Sequence, residues 1–167
     1  MRIGLLSDTH SYLDPTILGH FADCDEVWHA GDVGDPAVLD ALEAAKPVRG
    51  VYGNIDDTAV RLRLPLNNYF EVAGLPVLIT HIGGYPGRYT PRLRSLLDEY
   101  RPRLYICGHS HILKVQMDKG RGVLHVNPGA CGRHGFHRMR TVVRFAINDG
   151  RIQDLEVIEL GLRGQLP

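Results

Sequence analysis

Short apolar runs that stop at polar, chemistry-bearing residues set the pattern of this chain. Arg2-Ile3-Gly4-Leu5-Leu6-Ser7-Asp8 is nearly continuous in apolar side chains, as a buried strand requires. Asp14-Pro15 followed by Thr16 to Phe21 reads as a helix start, with Asp at the cap and Pro in the first turn. Glu26-Val27-Trp28-His29-Ala30 is a second strand that runs into Gly31-Asp32. Asp35-Pro36 opens another helix, with Val38, Leu39 and Leu42 as its apolar stripe, and Val48 to Tyr52 is a third strand that runs into Gly53-Asn54. This alternation predicts parallel strands in α/β layering.

After Asn54 the pattern changes. Arg61 to Leu66 and Asn67-Asn68 lead into Tyr69-Phe70-Glu71-Val72, then Pro76-Val77-Leu78-Ile79-Thr80-His81, a hairpin that feeds a core strand. Ile82 to Tyr89 holds three glycines and a proline and reads as a loop beside a site. Thr90-Pro91 caps a helix to about Tyr100. The apolar run Leu104-Tyr105-Ile106-Cys107 then delivers Gly108-His109-Ser110-His111. Lys114 to Met117 and Gly122 to Val126 flank a Gly-rich turn, and Asn127-Pro128-Gly129 closes that section. Arg133 to Arg140 is polar, basic and irregular. Thr141 to Ile147 and Arg151 to Leu160 flank Asn148-Asp149-Gly150, a hairpin signal. With no repeat, low-complexity tract or linker, residues 1–167 read as a single domain. A strand-rich second half after a βαβ first half predicts a four-layer αββα sandwich, two mixed sheets flanked by helices.

Composition narrows the partners. A chain of 167 residues can bury a core without disulfide staples, and 44% hydrophobic with 23% charged residues is globular. The formal net charge is zero, so no global footprint for a long nucleic acid or an anionic membrane exists. Cys24, Cys107 and Cys131 are an odd number without CxxC spacing and read as reduced thiols. The first strand begins at once, which leaves no room for a signal peptide, and no apolar run approaches membrane-spanning length. The expectation is a cytoplasmic protein, with a homo-oligomer left open.

Among nine histidines, position decides. Asp8, His10, Asp32, Asn54, His81, His109 and His111 all stand where apolar strands end. In open α/β sheets such strand ends meet at the site crevice, so the parallel strands of one sheet are expected to gather them. Taken singly, Asp32 reads equally as a loop cap, His81 as a core imidazole and Asn54 as a turn residue. Taken together, imidazole, carboxylate and amide donors without a thiolate suit Mn, Fe or Zn. Seven are too many for one transition metal and natural for two that share a bridge. Gly31, Gly53 and Gly108 each precede a candidate ligand, where a missing Cβ permits close backbone approach.

Asp8-x-His10, Gly31-Asp32, Gly53-Asn54, Thr80-His81 and Gly108-His109-x-His111 resemble the five motifs of the calcineurin-like metallophosphoesterases. The short length and Asn127-Pro128-Gly129-Ala130 are similar to the superfamily's small bacterial and archaeal phosphodiesterase branch. The resemblance spans about Met1 to Ala130 and implies the αββα fold. It also implies two divalent ions, manganese first with Fe, Ni or Zn as alternatives. Asp8, His10 and His111 are implied to hold one ion, Asn54, His81 and His109 the other, and Asp32 to bridge. The implied chemistry is in-line attack on a small phosphoester, a phosphodiester before a monoester, by a metal-bridging hydroxide. Asn54 is expected to touch a phosphate oxygen and His10 to stand near the leaving oxygen. Many relatives carry a histidine after the Gly-Asn pair; here Ile55 and then Asp56 follow. Some relatives use the same fold as a protein-binding scaffold with a degraded metal site, which is the alternative reading.

Arg88, with Tyr89, and Arg138, with His134 and His137, sit in two irregular segments where an arginine fork could grip phosphate; solvated loop charge is the plainer reading. His29 reads as a core residue behind Asp32, His20 as a helix-surface residue, and Asp56 as either a turn residue or one that orients a ligand. The roles of Asp56, His134 and His137 stay open at this point.

Overall fold

The computed structural model describes residues 1–165. Among the described residues, ten strands form two five-stranded sheets. The first is built on β1 (Arg2–Leu6), β2 (Glu26–His29), β3 (Val48–Gly50), β9 (Met139–Asn148) and β10 (Arg151–Leu162), in the order β10-β9-β1-β2-β3. The second comprises β4 (Asn67–Val72), β5 (Leu75–Thr80), β6 (Leu104–Ile106), β7 (Leu113–Asp118) and β8 (Val123–Pro128), in the order β4-β5-β6-β8-β7. β1, β2 and β3 run parallel, as do β5, β6 and β8, while β9, β10, β4 and β7 pair antiparallel with their neighbours. Both sheets are therefore mixed.

Strand alternation explains the layers. Ile3 and Leu5, Trp28, Val77 and Ile79, Leu104 and Ile106, and Val143, Phe145 and Ile147 point between the sheets into one shared core. Their neighbours point outward. Leu6, Val27 and Val142 pack under α1 (Thr16–His20), α2 (Ala37–Ala45) and α3 (Thr58–Arg61). Leu78 and Tyr105 pack under α4 (Pro91–Tyr100) through Leu93 and Leu97. The result is the four-layer αββα sandwich. Among the described residues no helix is long and apolar enough to cross a membrane.

The helix starts follow the capping residues. Asp14 accepts from Thr16 N at 3.0 Å, Asp35 from Ala37 N at 2.9 Å, and the Thr90 hydroxyl from Leu93 N at 3.2 Å. Two boundaries differ from expectation. β3 stops at Gly50, although Val51 stays in the core and its N–H still bonds His29 O at 3.1 Å. The stretch before β4 contains α3, a single turn capped by Asp57, too short to show a period.

Candidate metal centre

The strands that carry the candidate ligands divide between the two sheets, which corrects the expectation of a single one. β1, β2 and β3 lead to Asp8, His10, Asp32 and Asn54 in the first sheet; β5 and β6 lead to His81, His109 and His111 in the second. The centre therefore lies where two sheet ends meet. Backbone hydrogen bonds stitch the ends together: Asp8 N to Gly31 O at 3.0 Å, His10 N to Asp32 O at 3.1 Å, and Gly108 N to His81 O at 3.1 Å. Across the sheets, His109 N donates to both Asp8 carboxylate oxygens, at 3.2 and 3.3 Å.

Asp8, His10, Asp32, His109 and His111 all adopt left-handed backbone, with φ between 45° and 67°. For residues other than glycine this conformation costs about 1–3 kcal/mol each and persists where the surroundings enforce it. Gly31, Gly53 and Gly108 admit the close approach that brings these turns together. A Cβ on them would fall 2.5 Å from His81 Nδ1, 2.0 Å from Asp32 Oδ1 and 2.8 Å from Asp8 Oδ2, respectively.

Two sets of ligand atoms result. Asp8, His10 and His111 form one, and Asp32, His81 and His109 the other, the atoms of each within 4.8 Å of one another. Asp32 reaches both sets: Oδ2 lies 3.7 Å from His10 Nε2 and Oδ1 lies 3.1 Å from His81 Nε2. His111 Nε2 is 3.2 Å from Asp8 Oδ1 and 3.2 Å from His10 Nε2. Asn54 is exposed and lines the same cavity, of about 470 Å3.

The donor set fits divalent cations, and His81 shows why. Its Nδ1 lies 2.8 Å from Ala30 O, which can only accept, so Nδ1 carries a proton and the neutral ring has its lone pair on Nε2. Nε2 faces Asp32 Oδ1, and although close it makes no aligned hydrogen bond, so this buried atom has no partner among the described residues. Burial opposes charge on His81, but the contact with Asp32 and the charges of Asp8 and Asp32 outweigh it and raise its pKa. Burial also pushes the Asp32 carboxyl up, yet His81, the Ile55 N–H and His10 outweigh that and hold it below the usual range. His10 goes the other way: desolvation lowers its pKa against the pull of Asp32 and Asp8. Buried carboxylates that draw positive charge onto the imidazoles facing them are surroundings a bound cation satisfies.

The neighbours hold the ligands in place. His29 is fully buried, accepts from Gly31 N through Nδ1 at 3.1 Å, and meets the Thr9 hydroxyl through Nε2 at 3.1 Å. Desolvation takes its pKa down to about 4. It is a core residue behind the turn before Asp32. Asp56 accepts from Gly34 N and Gly53 N, both at 2.7 Å, and so ties the loop after β2 to the backbone just before Asn54. Asn127 donates to Gly108 O at 2.8 Å and Ser110 Oγ at 3.1 Å, which pins the turn that carries both histidines. The Asn-Pro-Gly run was the sequence signal for it. His20 is half-buried at the end of α1.

Arg88 and Arg138 do not reach the cavity over the ligands. Arg88 is exposed on the 82–90 loop, and Arg138 is exposed beside a separate depression with His137 and Arg163. The 132–138 segment contributes His134 and His137 instead. Both line the ligand cavity, with ring centroids 4.8 Å from His10 and 5.2 Å from His111, respectively. Only the basic, histidine-bearing composition of that segment hinted at this.

Two mixed sheets that converge on paired imidazole–carboxylate clusters define a class of metal-binding sandwich. The chain belongs to the calcineurin-like phosphoesterase superfamily, whose domain matches residues 1–150. It is 34% identical over 116 residues to a probable metallophosphoesterase of Methanothermobacter thermautotrophicus, covering 66% of this chain and 67% of that protein. It is 33% identical over 136 residues to another from Methanocaldococcus jannaschii, covering 78% and 68%. Among solved structures, an archaeal phosphodiesterase shares the fold with a TM-score of 0.74 at 23% identity, covering 96% of this chain and all (100%) of that one. Vps29 of Entamoeba histolytica, in a zinc complex, shares it with a TM-score of 0.72 at 18% identity, covering 95% and 99%.

Proposed function

We propose that residues 1–167 act as a dinuclear-metal-dependent phosphodiesterase domain for small phosphoesters. The observation that carries this reading is the position of Asp32 between two histidine clusters, each completed by residues from the opposite sheet. Asp8, His10 and His111 would hold the first ion and Asn54, His81 and His109 the second, with Asp32 shared between them. Two divalent ions bound there would activate a water as nucleophile and would supply charge to offset the phosphate oxygens. Manganese is the first choice, since hard oxygen donors share the site with imidazoles and no thiolate is present; Fe, Ni and Zn are the alternatives.

The chain's own residues do the rest. The exposed Asn54 amide donates to a phosphate oxygen and fixes the phosphorus in line. The half-buried His10 imidazole faces the cavity near the leaving oxygen. Asn54→Ala is expected to lower kcat by about 10²–10³-fold, the cost of one preorganised donor; an unchanged kcat removes the assignment. Ile55 occupies the place after Gly-Asn, so no imidazole there protonates the leaving oxygen. Rates should therefore fall steeply as the leaving-group pKa rises. A flat dependence, with chemistry shown to limit the rate, contradicts this.

The second reading is a non-catalytic scaffold that binds proteins, and the likeness to Vps29 is one of fold. A full set of competent ligands supports the enzyme. Because the Vps29 structure is itself a zinc complex, metal binding alone does not separate the two; turnover does. Metal-stripped protein reconstituted with Mn, Fe, Ni or Zn is expected to hydrolyse bis(p-nitrophenyl) phosphate faster than p-nitrophenyl phosphate. Metal binding without turnover of any diester or monoester establishes the scaffold instead.

A further inference from the structure

The 132–138 segment closes on itself beside the ligand cavity. Its start is fixed to the turn after β1, where Gly132 N donates to Asp8 O at 3.1 Å. The His137 ring returns to the same glycine, with Nε2 3.1 Å from Gly132 O. The Arg163 guanidinium ties the two arms together, with Nη1 3.3 Å from Arg133 O and Nε 3.1 Å from His137 O. At the tip, a Cβ on Gly135 (φ 113°) would fall 2.2 Å from His111 Nδ1, so the loop lies directly against a candidate ligand. A loop tied at both ends presents its side chains in fixed places.

Most polar side chains around the cavity are already engaged. His10, Asp32, Asn54, His109 and His111 are candidate ligands. Ser110 Oγ accepts from Asn127 Nδ2 at 3.1 Å and from Ile112 N at 3.3 Å. His137 commits Nε2 to Gly132 O. Ile55, Ile112 and Phe136 give the rest of the rim an apolar, exposed character. His134 is what remains. It lines the cavity, is exposed, and tilts 38° to the His10 ring with centroids 4.8 Å apart. Among the described residues neither of its nitrogens has a hydrogen-bond or ion-pair partner. An imidazole carries at least one N–H whether neutral or charged, so it can donate in either state.

We propose that His134 donates a hydrogen bond to the phosphate group of a substrate held at the Asp8–Asp32 cluster, and is a further substrate-contacting residue of this site. The proposal rests on the phosphoesterase reading above. Arg88 and Arg138 stand away from the cavity, so neither supplies a donor there. Asn54 has a second duty in a ligand set, whereas no ligand role consumes His134. A phosphoester is anionic, and a hydrogen bond to a charged oxygen is about twice as strong as one between neutral groups. The apolar rim of Ile55, Ile112 and Phe136 offers that anion no competing donor. Because the loop is tied at both ends, little further ordering is needed when the contact forms.

The test compares wild type, His134→Ala and His134→Gln, each loaded with manganese. Calorimetric titration with inorganic phosphate reads the contact, and manganese content after dialysis reads the ligands. His134→Ala is expected to weaken phosphate binding about tenfold, the worth of one hydrogen bond to a charged oxygen, at wild-type manganese content. His134→Gln, whose amide supplies a donor, should recover part of that loss. The kcat/KM for bis(p-nitrophenyl) phosphate should fall in parallel. Unchanged phosphate affinity in His134→Ala overturns the contact, as does a wild type that binds no phosphate. Loss of manganese from His134→Ala also overturns it and makes His134 a metal ligand. A glutamine variant as weak as the alanine one overturns it in favour of ring packing against His10. His134-dependent phosphate binding without turnover of any ester keeps the contact and removes the phosphoesterase reading; turnover and phosphate binding indifferent to His134 do the reverse.

Discussion

Five of the seven candidate ligands present their side chains from left-handed backbone, and Asp32 stands within 3.7 Å of a histidine of each cluster. Such turns are costly unless a function and a supporting web retain them. The division of ligands predicts uneven losses. His111→Ala should retain about one ion per chain, and His109→Ala likewise, but from opposite positions. Asp32→Asn should weaken both. Metal analysis after equilibrium dialysis distinguishes these outcomes, and identical losses in all three contradict separate clusters. Gly53→Ala should act through Asp32, because its Cβ would fall 2.0 Å from Oδ1 and 2.4 Å from the Asp32 amide nitrogen. It is expected to lower metal affinity without replacing a ligand; wild-type affinity refutes the close-approach argument. The identities of the candidate ligands were legible in the chain because each closes an apolar run. Their backbone conformations were not, since nothing in Asp8 or His10 as residue types announces a positive φ.

The helices were legible where a cap residue stood next to a proline or threonine, as at Asp14, Asp35 and Thr90. The single turn of α3 was not, because four residues cannot display a 3.6-residue period. Asp14 does more than cap α1. Its Oδ2 accepts from Arg140 Nη1 of β9 at 2.6 Å, with both side chains nearly buried. Burial pushes the Asp14 carboxyl up, but the Thr16 hydroxyl and amide and the Arg140 guanidinium outweigh this and hold its pKa at about 2. A depressed carboxylate stabilises the fold above its unfolded value and loses that contribution as pH falls from about 4 to about 2. The amount is about 2 kcal/mol. Urea denaturation of wild type and Asp14→Asn across that interval should show the wild type losing about 2 kcal/mol more. Parallel losses contradict the pairing.

The sandwich followed from alternation within each strand, a local property that tells which side chains face the shared core. Which strands share a sheet is set by long-range pairing, so the division of the ligands between two sheets could not be read from spacing. Composition marked the 132–138 segment as one that could edge the cleft, but not that His134 and His137 reach the ligand cavity, which depends on β9 returning beside β1. Convergence from two sheets also means that the centre should depend on the intact sandwich rather than on any one element. The most direct test is low-temperature electron paramagnetic resonance of the manganese-loaded protein. Two ions bridged by Asp32 predict about two manganese per chain and the multiline spectrum of an exchange-coupled pair. An uncoupled manganese sextet at one ion per chain contradicts a dinuclear centre.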